Sequence, residues 1–258
     1  MKYQEKCELL DKQKLTTDIF KYRIKTDKIA KEAKPGQFLE IRVSDSVEPF
    51  LRRPISIYSI VDSNTIEFIF QVKGNGTKIL SEKNIGDEID ILGPLGNGIF
   101  EIKDYKKIAI IGGGIGSYPL YEIAKELKDK AEINTYLGFR SKEYVTCENE
   151  FQKVSNKLVI TTDDGSYGEK GFAIDHLKQD EKPDVIMACG PLPMLRAVKK
   201  YAMEENIPCQ VSLEERMGCG IGACLGCAVK TSESTQEAPQ YKHVCKDGPV
   251  FNCTEVEF

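Results

Sequence analysis

The chain has 258 residues, of which 41% are hydrophobic and 29% charged, with a formal net charge of −4 at pH 7. That length holds two domains, or one large domain with an appendage, and the acidic balance argues against a nucleic-acid binder. No run approaches the ~18 apolar residues of a membrane helix, and the opening MKYQEKCELL lacks an apolar signal core, so the expected place is cytoplasmic, where thiols stay reduced.

Residues 1 to about 100 alternate apolar and polar positions in short runs separated by turn residues. Gln37–Val43, Ile55–Val61 and Ile66–Val72 are examples, and period-2 alternation rich in β-branched and aromatic residues predicts an antiparallel barrel or sandwich. Two features within it suggest chemistry. Arg52-Arg53-Pro54-Ile55-Ser56 leads into a strand, where proline holds the preceding residue extended. There an arginine can meet a phosphate, although Arg-Pro also serves simply to start an edge strand. Lys73-Gly74-Asn75-Gly76-Thr77 is a glycine turn opening a short helix. Such a turn offers N–H groups to a diphosphate, but it lacks the P-loop pattern and also reads as an ordinary turn.

Near Tyr105 the grammar changes. A short apolar strand, Lys107–Ile111, runs into Gly112-Gly113-Gly114-Ile115-Gly116 and then a helix with apolar Leu120, Ile123, Ala124 and Leu127. Strand, glycine turn and helix open a nucleotide-binding α/β unit. Further strands are expected at Ile133–Gly138, Leu158–Thr162, Val185–Cys189 and Gln210–Leu213, and helices at Gly171–Lys178 and Leu192–Asn206, implying a parallel sheet covered on both faces. The glycine turn departs from G-x-G-x-x-G, with Ser117 or Pro119 at the third glycine. Arg140-Ser141-Lys142 stands where a ribose-binding acid is expected, so NAD and NADP are not separated. Ala188-Cys189-Gly190-Pro191, ending a strand, forms a second lip of that site or is merely packed there.

Cys219, Cys224 and Cys227, spaced C-x4-C-x2-C, are followed at a distance by Cys245. Plant-type [2Fe–2S] clusters use this arrangement, because four thiolates must wrap a small inorganic core. Structural zinc uses two close cysteine pairs, whereas only Cys224 and Cys227 form one here. A disulfide knot fits poorly with nine cysteines, and a Rieske centre needs two histidine ligands near the loop. The metal ligands expected are Cys219, Cys224, Cys227 and Cys245.

The order Arg53-Pro54-Ile55-Ser56, Gly76-Thr77, Gly112-Gly113-Gly114-x-Gly116, Cys189-Gly190-Pro191 resembles the ferredoxin–NADP reductase superfamily. With the four C-terminal cysteines the chain is more narrowly similar to the electron-transfer subunits of type B, NAD-dependent dihydroorotate dehydrogenases. The resemblance implies a β plus α/β fold of several domains: an antiparallel FAD-binding β-barrel at 1–102, a parallel-sheet NAD-binding domain at 103–209 and a small [2Fe–2S] domain at 210–258. It places Arg53, Pro54, Ile55, Ser56, Phe70, Gln71, Val72, Gly76 and Thr77 at FAD. It places Gly112, Gly113, Gly114, Gly116, Cys189, Gly190 and Pro191 at NAD.

The partner it implies is an FMN-containing dihydroorotate dehydrogenase catalytic subunit, in a heterotetramer of two plus two, with neither nucleic acid nor membrane involved. Electrons would pass from the partner's FMN through the cluster and FAD to NAD⁺, in pyrimidine biosynthesis. No acid or base from this chain is required, since the cofactors carry the chemistry. The alternatives keep the fold and change the partner: a small subunit of an NADH-dependent ferredoxin:NADP oxidoreductase, a sulfide dehydrogenase or a hydrogenase. A redox-sensing subunit without turnover and a structural zinc protein are further readings.

Overall fold

Alternating burial along six strands builds the first unit. In the computed structural model, which describes residues 1–258, these are β1 (Tyr3–Lys14), β2 (Ile19–Lys25), β3 (Phe38–Arg42), β4 (Arg53–Asp62), β5 (Thr65–Gln71) and β6 (Glu88–Leu95). They close an antiparallel barrel in the order β1-β2-β5-β4-β3-β6, with β6 returning to β1 from Tyr3↔Gly93 to Glu8↔Glu88. Closure removes the unpaired edges that an open sheet would expose. Leu9, Tyr22, Ile24, Leu39, Ile41, Ile57, Ile66 and Phe68 fill the interior. Two short helices serve this core: α1 (Ile29–Glu32) buries Ile29, and α2 (Asn75–Ser81) buries Leu80. Tyr22 donates its phenol proton to the Leu80 carbonyl at 2.6 Å, which ties α2 to the barrel.

The register of β3 on β4, Phe38↔Ser56 and Glu40↔Pro54, sets two faces. Leu39, Ile41, Ile55 and Ile57 point into the barrel, so Phe38, Glu40, Pro54 and Ser56 share its outer face. Glu40 is nevertheless fully buried. Residues 214–228 and 243–249 belong to the same compact unit as residues 1–99, and the turn at Gly220 lies against the Glu40 side chain.

The second unit comprises residues 100–213, 229–242 and 250–258. Its sheet contains β7 (Lys107–Gly113), β8 (Glu132–Phe139), β9 (Lys157–Thr162), β10 (Glu169–Lys170), β11 (Val185–Cys189) and β12 (Cys209–Ser212), while β13 (Ala228–Lys230) and β14 (Tyr241–His243) form a separate ribbon. β15 (Val250–Asn252) completes the order β10-β9-β8-β7-β11-β12-β15, antiparallel to β12 in an otherwise parallel sheet. The helices are α3 (Tyr121–Leu127), α4 (Glu148–Gln152), α5 (Ala173–Leu177) and α6 (Leu192–Glu204).

The chain steps outward from β7 to β10 and then returns to place β11 and β12 on the other side, so the order reverses between β7 and β11. Ligands of open α/β sheets enter at the carboxyl ends flanking such a reversal. The helix expected after the glycine turn, with Leu120, Ile123, Ala124 and Leu127, is divided: residues Gly114–Leu120 form a 3₁₀ turn before α3 begins. Pro119 has no N–H to return to residue 115, which keeps that turn from being α-helical. No helix is long and apolar enough to cross a membrane.

Candidate functional site

The four cysteines predicted as ligands come together in the first unit. Backbone N–H groups of Ile221, Ala223 and Cys224 point at Cys219 Sγ at 3.5, 3.2 and 3.4 Å. Gly222 N–H points at Cys245 Sγ at 3.1 Å, and Cys245 N–H at Cys227 Sγ at 3.4 Å. Sulfur accepts such bonds best as thiolate, so five donors aimed at three sulfurs describe a loop folded for anionic cysteines. Burial opposes ionisation of Cys219, but the N–H bonds outweigh it and hold the thiol down at about 6. Cys245 moves the other way, pushed up first by burial and then by its neighbour Cys227.

The sulfurs are arranged in two pairs, Cys219 with Cys224 and Cys227 with Cys245. Two thiolate pairs are the donor set that a core with two metal atoms uses, one pair to each metal. Accessibility divides the pairs as well: Cys227 and Cys245 are buried, Cys219 is half-buried and Cys224 is exposed.

On the barrel, Arg53 and Gly76, distant in sequence, meet in space. A Cβ added at residue 76 would lie 2.6 Å from Arg53 Cζ, so the glycine makes room for the guanidinium to cross the turn. The Arg53 Nη1 donates to the carbonyls of Leu51 and Arg52, which leaves the remaining donors of its fork for an anion. Thr77 Oγ1 accepts from the Lys73 and Gly74 N–H groups at 2.9 and 3.2 Å and so holds the turn itself. Pro54 and Ser56 present the outer face, whereas Ile55 packs inward. Phe70 is core, stacked on Phe20 at 5.8 Å and edge-on to Tyr22 at 5.1 Å. Gln71 donates to Asp18 at 2.7 Å, and Val72 follows the end of β5 with its N–H on the Asp18 carbonyl.

In the second unit the two glycine-bearing turns touch at the carboxyl ends of β7 and β11. An added Cβ at Gly116 would fall 2.5 Å from Gly190 Cα, and one at Gly113 would fall 2.7 Å from Pro191 Cδ. Gly112 is paired with Cys189 across the two strands, and Gly114 has a left-handed φ of 54° with open space at its Cβ. Ser117 packs on Gly112, where an added Cβ would lie 2.6 Å from Ser117 Oγ. That hydroxyl is buried without a hydrogen-bond partner, as is Thr161 Oγ1 near the end of β9, and buried polar atoms of this kind await one. These backbone cradles and orphaned hydroxyls suit a polar ligand such as a nucleotide. Arg140 is exposed beyond β8, while Lys142 holds its N–H on Ser166 Oγ at 2.8 Å and its ammonium over the Tyr167 ring.

Three features escaped the sequence reading. Arg52, beside the Arg53 motif, forms a bidentate pair with Asp90 at 3.0 Å and also donates to the Glu40 carbonyl. Glu40 is buried with neither carboxylate oxygen hydrogen-bonded, and burial, opposed by Arg52, raises its carboxyl to about 7. Leu225, between two cluster cysteines, adopts a left-handed φ of 62°. A carboxylate on an alternating strand and a leucine in a glycine-rich loop carry no local signal of either state.

Three family models match successive stretches of the chain. Residues 6–100 match the oxidoreductase FAD-binding domain family, residues 110–200 the oxidoreductase NAD-binding domain family, and residues 214–257 the iron-sulfur cluster binding domain of dihydroorotate dehydrogenase B. The chain is 41% identical over 253 residues to the Bacillus pumilus protein named dihydroorotate dehydrogenase B (NAD(+)), electron transfer subunit, covering 96% of each. To the protein of that name from Caldanaerobacter subterraneus it is 38% identical, covering 100% of each. A solved structure described as an NADH-dependent reduced ferredoxin-NADP oxidoreductase of flavin-based electron bifurcation superposes with a TM-score of 0.86 at 36% identity, over 97% of this chain and 89% of that one. The cytochrome b5 reductase domain of Ulva prolifera nitrate reductase shares the fold alone, with a TM-score of 0.64 at 19% identity, over 79% of this chain and 93% of that domain.

Proposed function

The chain belongs to the family of dihydroorotate dehydrogenase B electron transfer subunits, and on that premise we propose how its residues serve electron transfer between dihydroorotate and NAD⁺. It is an oxidoreductase subunit with FAD-binding, NAD-binding and iron–sulfur parts. When bound, the cluster supplies single-electron transfer and FAD the conversion to the hydride that NAD⁺ accepts.

The chain's own part is placement. Cys219, Cys224, Cys227 and Cys245 would hold a [2Fe–2S] core, and the loop N–H groups stabilise negative charge on the cysteine sulfurs. Arg53 with the Gly76-Thr77 turn takes the FAD diphosphate, while Pro54 and Ser56 offer the outer barrel face to the ring, Ile55 backs them from inside, and the Phe70–Val72 strand end borders it. Gly112, Gly113, Gly114, Gly116, Cys189, Gly190 and Pro191 form the nicotinamide-nucleotide cradle. The division into parts at 1–102, 103–209 and 210–258, a cytoplasmic location, and a two-plus-two assembly with an FMN-bearing catalytic subunit complete the reading.

The observation that carries it is the pair of thiol pairs with five inward N–H donors, lodged in the same unit as the barrel. The test uses the complex isolated from native extract through a tag on this chain. Dihydroorotate is added without oxygen, and NAD⁺ and NADP⁺ reduction are followed separately. Rapid NADH formation is expected. A complex that oxidises NADH but gives no signal with dihydroorotate overturns the pyrimidine assignment, and its copurified partner then names the substrate.

A further inference from the structure

Two cysteines outside the cluster set face each other at the edge of the second sheet. Cys209 opens β12, and Cys253 follows the last residue of β15. The pairing Gln210↔Asn252, Val211↔Phe251, Ser212↔Val250 continues to them, for the Cys253 N–H donates to the Cys209 carbonyl at 2.8 Å. Directly opposed residues joined in this way lie about 5.5 Å apart at Cα with their side chains on one face, within the range that a disulfide spans. The thiols already meet, Cys209 donating its S–H to Cys253 Sγ. Both side chains are buried. β15 is nevertheless a strand of 3 residues at the open edge of the sheet, and its local opening frees the two sulfurs together. The stretch between them, residues 210–252, contains all four cluster cysteines, from Cys219 to Cys245.

We propose that Cys209 and Cys253 are a reversible redox staple, whose disulfide closes the neck of the cysteine-rich insertion when a low-molecular-weight disulfide of the glutathione class is abundant. Neither residue belongs to the cluster set or to the nucleotide cradle, and the staple does not depend on which partner the chain serves. The hydrogen bond from Cys209, joined by the Lys199 charge, holds the Cys253 thiol below its usual range against the effect of burial. Cys209 is pushed up by the same bond and by burial. Cys253 is therefore the attacking thiolate. It bonds to one sulfur of the oxidised glutathione and expels the other half as a thiolate. Cys209, deprotonated in turn, attacks the Cys253 sulfur, forms the intrachain S–S bond and expels the second half. The protein gives up two electrons and two protons, and the two glutathione thiols receive them. Where thiols stay reduced, the dithiol is the resting form. Closing so long a loop restricts the unfolded chain, so the stapled form holds β15 on β12 and keeps the ends of the insertion together.

The test exposes the full-length, cluster-loaded protein to oxidised glutathione without oxygen and maps its peptides without reductant. A peptide joining Cys209 to Cys253 is expected, with two reduced glutathiones released per link. The link should raise the thermal midpoint by about 5 °C until a dithiol reductant removes it. Cys209→Ser lacks the second thiol and should trap glutathione on Cys253. Absence of the joined peptide in the wild type overturns the proposal, whatever the variant does. So does a joined peptide that appears only after the visible cluster absorbance is lost, because the sulfurs would then meet only once the insertion has come apart. A joined form that melts no higher than the dithiol overturns the staple, and an unmodified Cys253 in Cys209→Ser overturns the order of attack.

Discussion

The carboxyl group of Glu40 occupies the space that a side chain at residue 220 would need: an ideal Cβ there lies 2.5 Å from Glu40 Cγ and 2.8 Å from its Oε1. A residue on the outer face of the barrel and a turn in the cluster loop are thereby locked together. This contact ties the cysteine-bearing loop to the barrel, in the same compact unit.

Gly220→Ala should therefore disturb the cluster more than the barrel. The new methyl meets Glu40, and the left-handed φ of 68° adds strain, together about 2–5 kcal/mol. Iron and acid-labile sulfide per chain should fall while FAD content is retained. In Glu40→Ala/Gly220→Ala the overlap disappears and only the backbone strain remains, so partial recovery of iron is expected. Full iron content in the single variant would rule out the lock.

Glu40 also sets a pH dependence. Burial, opposed by the Arg52 charge, raises its carboxyl from 4.5 to about 7. The folded state therefore holds the proton more tightly than the unfolded chain does. The stability this contributes is present in full below about pH 4.5 and is lost as pH rises toward about 7, by up to about 3 kcal/mol. Glu40→Gln keeps the shape and removes the titration. Its thermal midpoint minus that of the wild type should grow between pH 4.5 and 7 and level off above. A difference independent of pH would show that Glu40 does not titrate in this range.

Gly116→Ala tests the nucleotide cradle. Its added methyl meets the backbone of Gly190, 2.5 Å from Cα and 2.6 Å from N, which no rotamer change relieves. The two turns must separate, and the KM for NADH should rise by about tenfold, equivalent to 1.4 kcal/mol. Steady-state NADH oxidation with an artificial acceptor reads this directly, and an unchanged KM would place the nucleotide elsewhere.

Cys227→Ser separates the two halves of the proposed relay. Cys227 is buried and paired with Cys245, so a hydroxyl there removes a ligand the other thiolates cannot replace. Reduction of NAD⁺ by dihydroorotate should be abolished, while NADH oxidation by a two-electron artificial acceptor largely remains. Equal loss of both activities would sink the order of transfer.

What the sequence alone determined was local. The C-x4-C-x2-C spacing, the alternation of β3, β4 and β5, the apolar runs of β7 and β11, and the glycine turns at Gly76 and Gly112 each put their signal within a few residues, where periodicity and backbone freedom act. Only the tertiary structure decided which of these segments meet. Glu40 sits on an outward strand position, which reads as solvent-facing until a loop some 180 residues later covers it. Gly116 and Gly190 are both legible as turns, but their contact arises from the reversal of strand order between β7 and β11. β15 joins the parallel sheet from beyond the cluster, antiparallel to β12, because a sheet edge accepts whatever strand the returning chain presents. Leu225 adopts a glycine's conformation, and nothing in its neighbours announces that. Such features depend on contacts between distant segments, and a sequence read in order carries those only after the chain has folded.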